Sequence, residues 1–259
     1  MRTLLLLAMA SSAAAWVQPR MMVSMWYDPV VQSSEFYARY GEMAQANFTA
    51  VMGGFGALTV PRVQAQLAAA ERAGLGVVAA GRAGYAGYSS TAFWGYQIKD
   101  EPDAAEFAGL KTLSDSIAKT PANKGKLRYI NLLPTCNPLQ LCCGNVTSCG
   151  DKSCGSEYNY MSYVSTFVET VQPDVLCMDA YPNFNEAANA TADPARDDYR
   201  LILAVLRKQA LKSKLNFWNY FGVARVFGGE SDPTEAQVRW QVFTSLAYGA
   251  KGFLYFCYW

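Results

Sequence analysis

The residues best suited to moving protons lie in the run Phe93-Trp94-Gly95-Tyr96-Gln97-Ile98-Lys99-Asp100-Glu101-Pro102, where an apolar, aromatic stretch meets two adjacent carboxylates and is stopped by proline. A carboxylic acid held at a strand end can protonate a leaving oxygen while a second carboxylate activates water or faces developing positive charge. Strict alternation puts Tyr96, Ile98 and Asp100 on one face and Gln97, Lys99 and Glu101 on the other. Helices covering the apolar face would then leave Glu101 pointing inward. The sequence has no histidine, which removes Ser-His-Asp and Cys-His nucleophile systems, His-containing zinc sites and imidazole bases together. Proton transfer falls to carboxylates, Lys, Tyr or Cys, and the residues imply neither a cofactor nor a metal.

The second candidate carboxylate is Asp179, which alternates with Val175, Cys177 and Tyr181 on one face of its strand. Other strand exits carry Trp26 and Asp28, Arg82, Asn131, Asn219 and Tyr220, then Tyr258 and Trp259. Carboxylates and amides match hydroxyl groups, and Trp and Tyr stack on the apolar faces of a pyranose, so the set suits a sugar. The expectation is a catalytic pair, Glu101 and Asp179, with Asp100, Asn131, Tyr181, Asn219 and Trp259 holding the substrate. Each residue also has a structural reading. Asp100 and Glu101 are placed to cap the following helix, although Asp103 is better placed for it. Asp179 could accept a loop amide, and Asn131 and Asn219 could anchor loops. Lys99, if it shared a face with Glu101, would lower that acid's pKa and oppose a general-acid role.

The elements that must position these groups alternate between short strand-like runs and amphipathic helical stretches, as parallel βαβ units do. Strand candidates are Met22 to Trp26, Phe48 to Met52, Gly76 to Ala80, Phe93 to Ile98, Leu127 to Leu132, Val175 to Asp179, Leu215 to Asn219 and Gly252 to Tyr258. Eight such runs predict an α/β chain folded as a (β/α)8 TIM barrel. Asp103-Ala104-Ala105-Glu106 and Asp232-Pro233-Thr234-Glu235 read as capping boxes, and Pro194 stands at a first helical position. Tyr199, Ile202, Leu203 and Leu206 recur at helical spacing as a core face, as do Val238, Val242 and Leu246. Too few residues separate the third and fourth strands for a full helix. The chain reads as truncated after the eighth strand, which would leave an apolar seam between that strand and the first.

At 259 residues and 51% hydrophobic content, one barrel can bury a large core. A net charge of +1 with no basic run gives no electrostatic footprint for nucleic acid. Residues 1-15 read as a signal peptide: Met1-Arg2, an apolar run from Leu4 to Ala10 too short to span a bilayer, and Ala13-Ala14-Ala15 before Trp16. Residues 16-259 then form a single domain, expected to be secreted or in the secretory-pathway lumen, with no membrane span in the mature chain. Sequons at Asn47, Asn145 and Asn189 agree with glycosylation there. Cys136, Cys142, Cys143, Cys149 and Cys154 crowd an insertion at 136-154, read as a disulfide-stapled loop in preference to a zinc knuckle. The pairing and the oligomeric state stay open.

From Phe93 to Trp259 the chain resembles the retaining (β/α)8 glycosidases of the large clan that includes family 42-type β-galactosidases and related bacterial barrel glycosidases. The resemblance rests on Tyr96-Gln97-Ile98-Lys99-Asp100-Glu101-Pro102, on Pro173-Asp174-Val175-Leu176-Cys177-Met178-Asp179-Ala180-Tyr181-Pro182, and on the ending Ala247-Tyr248-Gly249-Ala250-Lys251-Gly252-Phe253-Leu254-Tyr255-Phe256-Cys257-Tyr258-Trp259. It implies that Glu101 is the acid/base, with Asp100 where the clan has Asn, and that Trp259 is a platform under the reacting sugar. The clan's nucleophile is a glutamate ending strand seven, where this chain has Phe217-Trp218-Asn219-Tyr220-Phe221. Glu230 and Glu235 follow further on, and only Glu230 could reach back. Asp179 is therefore taken as the partner of Glu101. One intervening strand separates their strands, about 10 Å at ~4.8 Å per strand, a spacing that suits an inverting pair. Asp179-Ala180-Tyr181 is also similar to chitinase-like barrels, whose strand-six Tyr and Asp assist a substrate N-acetyl group, although their extended strand-four acidic motif is absent. The implied function is hydrolysis of a poly- or oligosaccharide; the alternative is a non-catalytic carbohydrate-binding barrel.

Overall fold

The structure, a computed structural model, describes residues 16-26, 33-53, 58-134, 157-182, 194-224 and 232-257. The expected signal peptide, the cysteine-rich insertion, Asn145, Asn189, Asp28, Glu230, Tyr258 and Trp259 lie outside them.

Eight parallel strands form: β1 (Met22–Trp26), β2 (Ala50–Met52), β3 (Gly76–Ala80), β4 (Phe93–Asp100), β5 (Leu127–Asn131), β6 (Leu176–Asp179), β7 (Phe217–Gly222) and β8 (Gly252–Phe256). They pair as two four-stranded sets, β1-β8-β7-β6 and β2-β3-β4-β5. Single contacts join the sets into a ring. Thr49 N–H donates to the Val23 carbonyl (2.9 Å) between β1 and β2, and Leu132 N–H donates to the Cys177 carbonyl (2.9 Å) between β5 and β6. Helices α1 (Phe36–Gln45), α2 (Val60–Ala73), α3 (Phe107–Lys119), α4 (Glu157–Val171), α5 (Pro194–Ser213) and α6 (Glu235–Ala247) lie between strands, and β3 is followed only by a single 3-10 turn at Gly81–Ala83. The chain is a (β/α)8 barrel.

Alternation sorts the strand side chains into two cores. The inner one holds Met22, Met52, Val78, Trp94, Leu127, Tyr129, Cys177, Trp218 and Leu254. The outer one lies between strands and helices, with Phe36, Tyr40, Val63, Leu67, Phe93 and Tyr96 on one side and Phe107, Tyr163, Phe167, Leu203, Leu206 and Phe221 on the other. Tyr199, Ile202, Leu203 and Leu206 are buried as their spacing predicts. α6 departs from its predicted face: Gln241 and Ser245 are the buried residues and Leu246 is 41% exposed. The reason is hydrogen bonding, since the Gln241 amide donates to the Gly222 carbonyl and accepts from Gly222 N–H (both 3.0 Å), closing the end of β7. Its N-terminus is also capped later than predicted, by Thr234 with Gln237.

Tryptophans fill the amino-terminal end of the barrel. Trp16 packs against Trp94 and Trp218 (ring centroids 6.4 and 5.9 Å), and Trp218 Nε1 donates to Gln18 (3.0 Å). A Cβ on Gly76 would lie 2.0 Å from the Trp94 ring. Gly76→Ala should therefore cost about 1–3 kcal/mol by overpacking, read as a lower urea midpoint at unchanged m-value. At the β8–β1 seam, Tyr255 packs on Phe48 and Phe221 (5.5 and 4.6 Å), while Phe243 on α6 is 61% exposed.

Candidate active site

Strand β4 does not keep strict alternation. Its register with β5 shifts between Gln97 and Lys99, so that Gln97 pairs with Tyr129 but Asp100 pairs with Asn131. The extra residue exchanges the faces beyond it. An earlier shift against β3, where Val77 pairs with Phe93 and Val78 with Gly95, leaves Trp94 inside the barrel and Tyr96 outside, and the shift at Gln97/Lys99 then brings Asp100 into the pocket beside Asn131. The sequence reading that set Asp100 on the helix side is corrected by this bulge. Lys99 pairs instead with Glu106 (2.8 Å), which also accepts from Asp103 N–H (2.9 Å) in the predicted capping box.

Glu101 follows immediately, with its N–H bonded to the Asn131 carbonyl (2.9 Å) and φ at +45°. A left-handed backbone is unfavourable for a residue with a Cβ, and such strain concentrates at functional sites. It turns the chain so that Glu101 as well as Asp100 lines the same cavity. From β6, the inward set Val175 and Cys177 continues to Asp179 and Tyr181, as predicted.

These side chains close a cavity of about 230 Å³ at the carboxyl ends of the strands, lined by Trp26, Asp100, Glu101, Asn131, Asp179, Tyr181, Tyr220 and Phe256. Its two walls differ. Acidic and amide groups come from β4, β5 and β6, while aromatic rings come from the end of β6, then β7, β8 and β1. Asn131 is buried at the centre, and its Nδ2 donates to Asp100 Oδ1 (3.2 Å) and Asp179 Oδ1 (2.7 Å). Glu101 and Tyr181 line the pocket beside Asp179; Glu101 raises the proton affinity of Asp179, and Asp179 that of Tyr181. Glu101 and Asp179, on strands separated by one intervening strand, line one cavity, and Glu101 is near enough to raise the proton affinity of Asp179.

Burial and neighbouring carboxylates raise the proton affinity of Asp100 and Asp179. Burial, then the neighbouring Glu101, pushes Asp100 up to about 6, against opposing pulls from the Asn131 amide and Lys99. Asp179 is pushed well above the usual carboxylate range, first by burial, then by Glu101 and Asp100, with the Asn131 bond opposing.

Because the folded pKa of Asp100 lies above its ordinary 3.8, the folded state binds this proton more tightly than the unfolded one. The stabilising contribution is full at low pH and is lost as pH rises through about 6. Asp100→Asn should accordingly raise the melting temperature at pH 7.5, and the gain should vanish below pH 4; a pH series of thermal melts checks both ends.

Of the expected site residues, Glu101, Asp179, Asp100, Asn131 and Tyr181 come together, and Trp259 lies outside the described residues. Asn219 does not join them. It is fully buried on the opposite face of β7, and its Nδ2 donates to the Tyr199 hydroxyl (2.6 Å) and Ser245 Oγ (2.9 Å), tying the strand to α5 and α6. Its neighbour Tyr220 faces the pocket instead. Phe217-Trp218-Asn219-Tyr220-Phe221 is aromatic on both faces, so polarity gave no sign of which face is inner. The inward parity of Trp218 would have selected Tyr220. Trp26 and Phe256 complete the aromatic wall, with Trp26 edge-on to Tyr220 (5.4 Å) and Tyr181 tilted against Phe256 (5.0 Å).

Among the described residues no cluster of His, Cys, Asp or Glu could hold a metal ion, and no helix is long and apolar enough to cross a membrane. No protein-family model matches the sequence, and no curated protein is detectably similar to it. Solved structures are similar in fold. A candidate alpha-L-fucosidase from Bacteroides thetaiotaomicron superimposes with a TM-score of 0.61 at 12% identity, over 92% of this chain and 85% of that one. The cellulose synthase subunit Z of Clostridioides difficile gives 0.57 at 11% identity over 92% of both chains. A hyperthermostable endo-1,4-beta-D-mannanase from Thermotoga petrophila gives 0.56 at 11% identity, over 92% and 88%. At these identities the likeness concerns the barrel fold.

Proposed function

We propose that the pocket binds a sugar ring and that the chain is a glycoside hydrolase working by carboxylate acid/base catalysis on a poly- or oligosaccharide. The observation that carries this reading is the grouping of Glu101, Asp179 and Asp100 on one wall of a cavity of about 230 Å³ whose other wall is aromatic. A pyranose edge meets the acidic wall with its hydroxyls and the aromatic wall with its C–H faces. Glu101 protonates the glycosidic oxygen as the bond to C1 breaks and water adds to C1. Asp179 acts as the base that takes the proton this water loses, or faces the positive charge that develops on the ring. The resemblance to family 42-type glycosidases supports the same assignment, and the solved structures of similar fold include proteins described as a mannanase and a candidate fucosidase.

A second reading is favoured by Asp179 and Tyr181 lining the pocket together beside Glu101. A carboxylate beside the acid can accept the N–H of a substrate 2-acetamido group, whose carbonyl oxygen then attacks C1 as the leaving oxygen departs protonated. Tyr181 would complete that cradle. A third reading, a barrel that binds carbohydrate without turnover, is favoured by the absence of a carboxylate from Phe217–Gly222.

Secretion, disulfides in 136-154 and N-glycosylation belong to the same proposal. Of the sequons, Asn47 is exposed on the turn between α1 and β2, at the barrel end away from the pocket. A glycan array run beside a reducing-sugar assay on neutral and N-acetylated oligosaccharides tests the function. Turnover supports the hydrolase; binding without turnover supports the lectin-like barrel; neither binding nor turnover overturns the carbohydrate reading.

A further inference from the structure

We propose that Tyr129, which does not reach the pocket, is a positioning residue that fixes which end of the Asn131 amide the site carboxylates meet. The inference rests on the acid/base reading of the pocket. An asparagine amide is two-sided, with a donor end and an acceptor end. Its donor end stabilises a carboxylate's charge, whereas its acceptor end would oppose it. Asn131 presents its donor end to both Asp100 and Asp179.

The other end of the amide decides that orientation. Tyr129 stands two residues earlier on the inward face of β5, fully buried, and its hydroxyl donates to Asn131 Oδ1 (3.4 Å). The same hydroxyl is 3.2 Å from Cys177 Sγ and 3.3 Å from the Tyr220 hydroxyl. A thiol sulfur is a weak acceptor and a phenol oxygen, although it can accept from Tyr129, a weaker one than an amide carbonyl, so the amide oxygen is the strongest acceptor of the three. With Phe at this position an inverted amide would lose no bond at that end.

The ring is held separately from the hydroxyl. It stacks on Trp218 with centroids 5.6 Å apart and planes 25° apart. Packing therefore survives Tyr129→Phe while the orienting donor is lost. The other charged or titratable groups facing Asp100 and Asp179 are Lys99 and Glu101 from β4, Cys177 and Tyr181 from β6, and Tyr220 from β7. None of them changes in the variant.

The test is a carboxyl carbon NMR titration of protein labelled at aspartate, which needs no turnover. Tyr129→Phe is expected to move the Asp100 midpoint upward by about half a pH unit or more. Cys177→Ala, which takes an atom from the same buried cluster but no donor from Asn131, is expected to leave it in place. In an Asn131→Ala background, Tyr129→Phe is expected to have no further effect. An unmoved midpoint in Tyr129→Phe overturns the proposal, and so does an equal shift in Cys177→Ala or a full shift in the Asn131→Ala background. A Tyr129→Phe chain that does not fold overturns it too, because stacking on Trp218 is claimed to suffice. A protein with these shifts but no action on any glycoside would remove the hydrolase reading and leave the role of Tyr129 standing.

Discussion

Glu101→Gln is expected to lower kcat on any glycoside the wild-type chain hydrolyses by about 10²–10⁴-fold, with little change in KM. The amide keeps the shape of the side chain, so substrate binding survives. What it cannot do is give up a proton to the leaving oxygen. A substrate with a leaving group that departs as a stable anion needs no such proton, and the loss on it should be correspondingly small. The variant carries an internal control for folding. Glu101 is the nearest charge raising the pKa of Asp100, so its removal should bring that midpoint down from about 6. A kcat equal to the wild type on unactivated oligosaccharides, with the Asp100 midpoint lowered, would remove Glu101 from the acid role.

Asp179→Asn is expected to cost about 10²–10³-fold in kcat, comparable to losing one electrostatic stabiliser of a transition state. Asp179 accepts from Asn131 (2.7 Å) and lines the cavity beside Glu101 and Tyr181, so its replacement acts on the charge facing the ring. The substrate dependence separates the two catalytic readings. If Asp179 faces an oxocarbenium-like ring, neutral and N-acetylated glycosides should lose rate to a similar extent. If it accepts the N–H of a 2-acetamido group, the loss falls on N-acetylated substrates alone, and neutral glycosides are poor substrates from the start. Parallel kinetics on a matched glucoside and N-acetylglucosaminide measure the difference.

Much of the fold was legible because period-two runs and helical stripes repeat along the chain. Met22 to Trp26 and Gly76 to Ala80 form strands with the bounds read from sequence. Asp179 and Tyr181 were assigned to the pocket because Val175 and Cys177 give β6 a consistent inner face. Two things were hidden. A bulge adds one residue to β4 without any composition signal, and it decides where Asp100 points. Strand β7 is aromatic on both faces, so an amide looked like the functional group when it was Asn219 that anchors the helices and Tyr220 that lines the cavity. That adjacent Asp100 and Glu101 both line the cavity was also beyond sequence reasoning, because it depends on a left-handed turn at Glu101.

The most direct measurement is on the Asn131 side-chain amide, which sits between Asp100 and Asp179 and gives its own pair of NMR signals. Titration of nitrogen-labelled protein with neutral and N-acetylated hexoses and their short oligomers should shift those signals saturably with at least one sugar. The shifts should come with changes at the Trp26 indole on the facing wall. Saturable sugar binding that leaves Asn131 and Trp26 unmoved, or no binding by any of these sugars, would contradict the assignment of this pocket to carbohydrate.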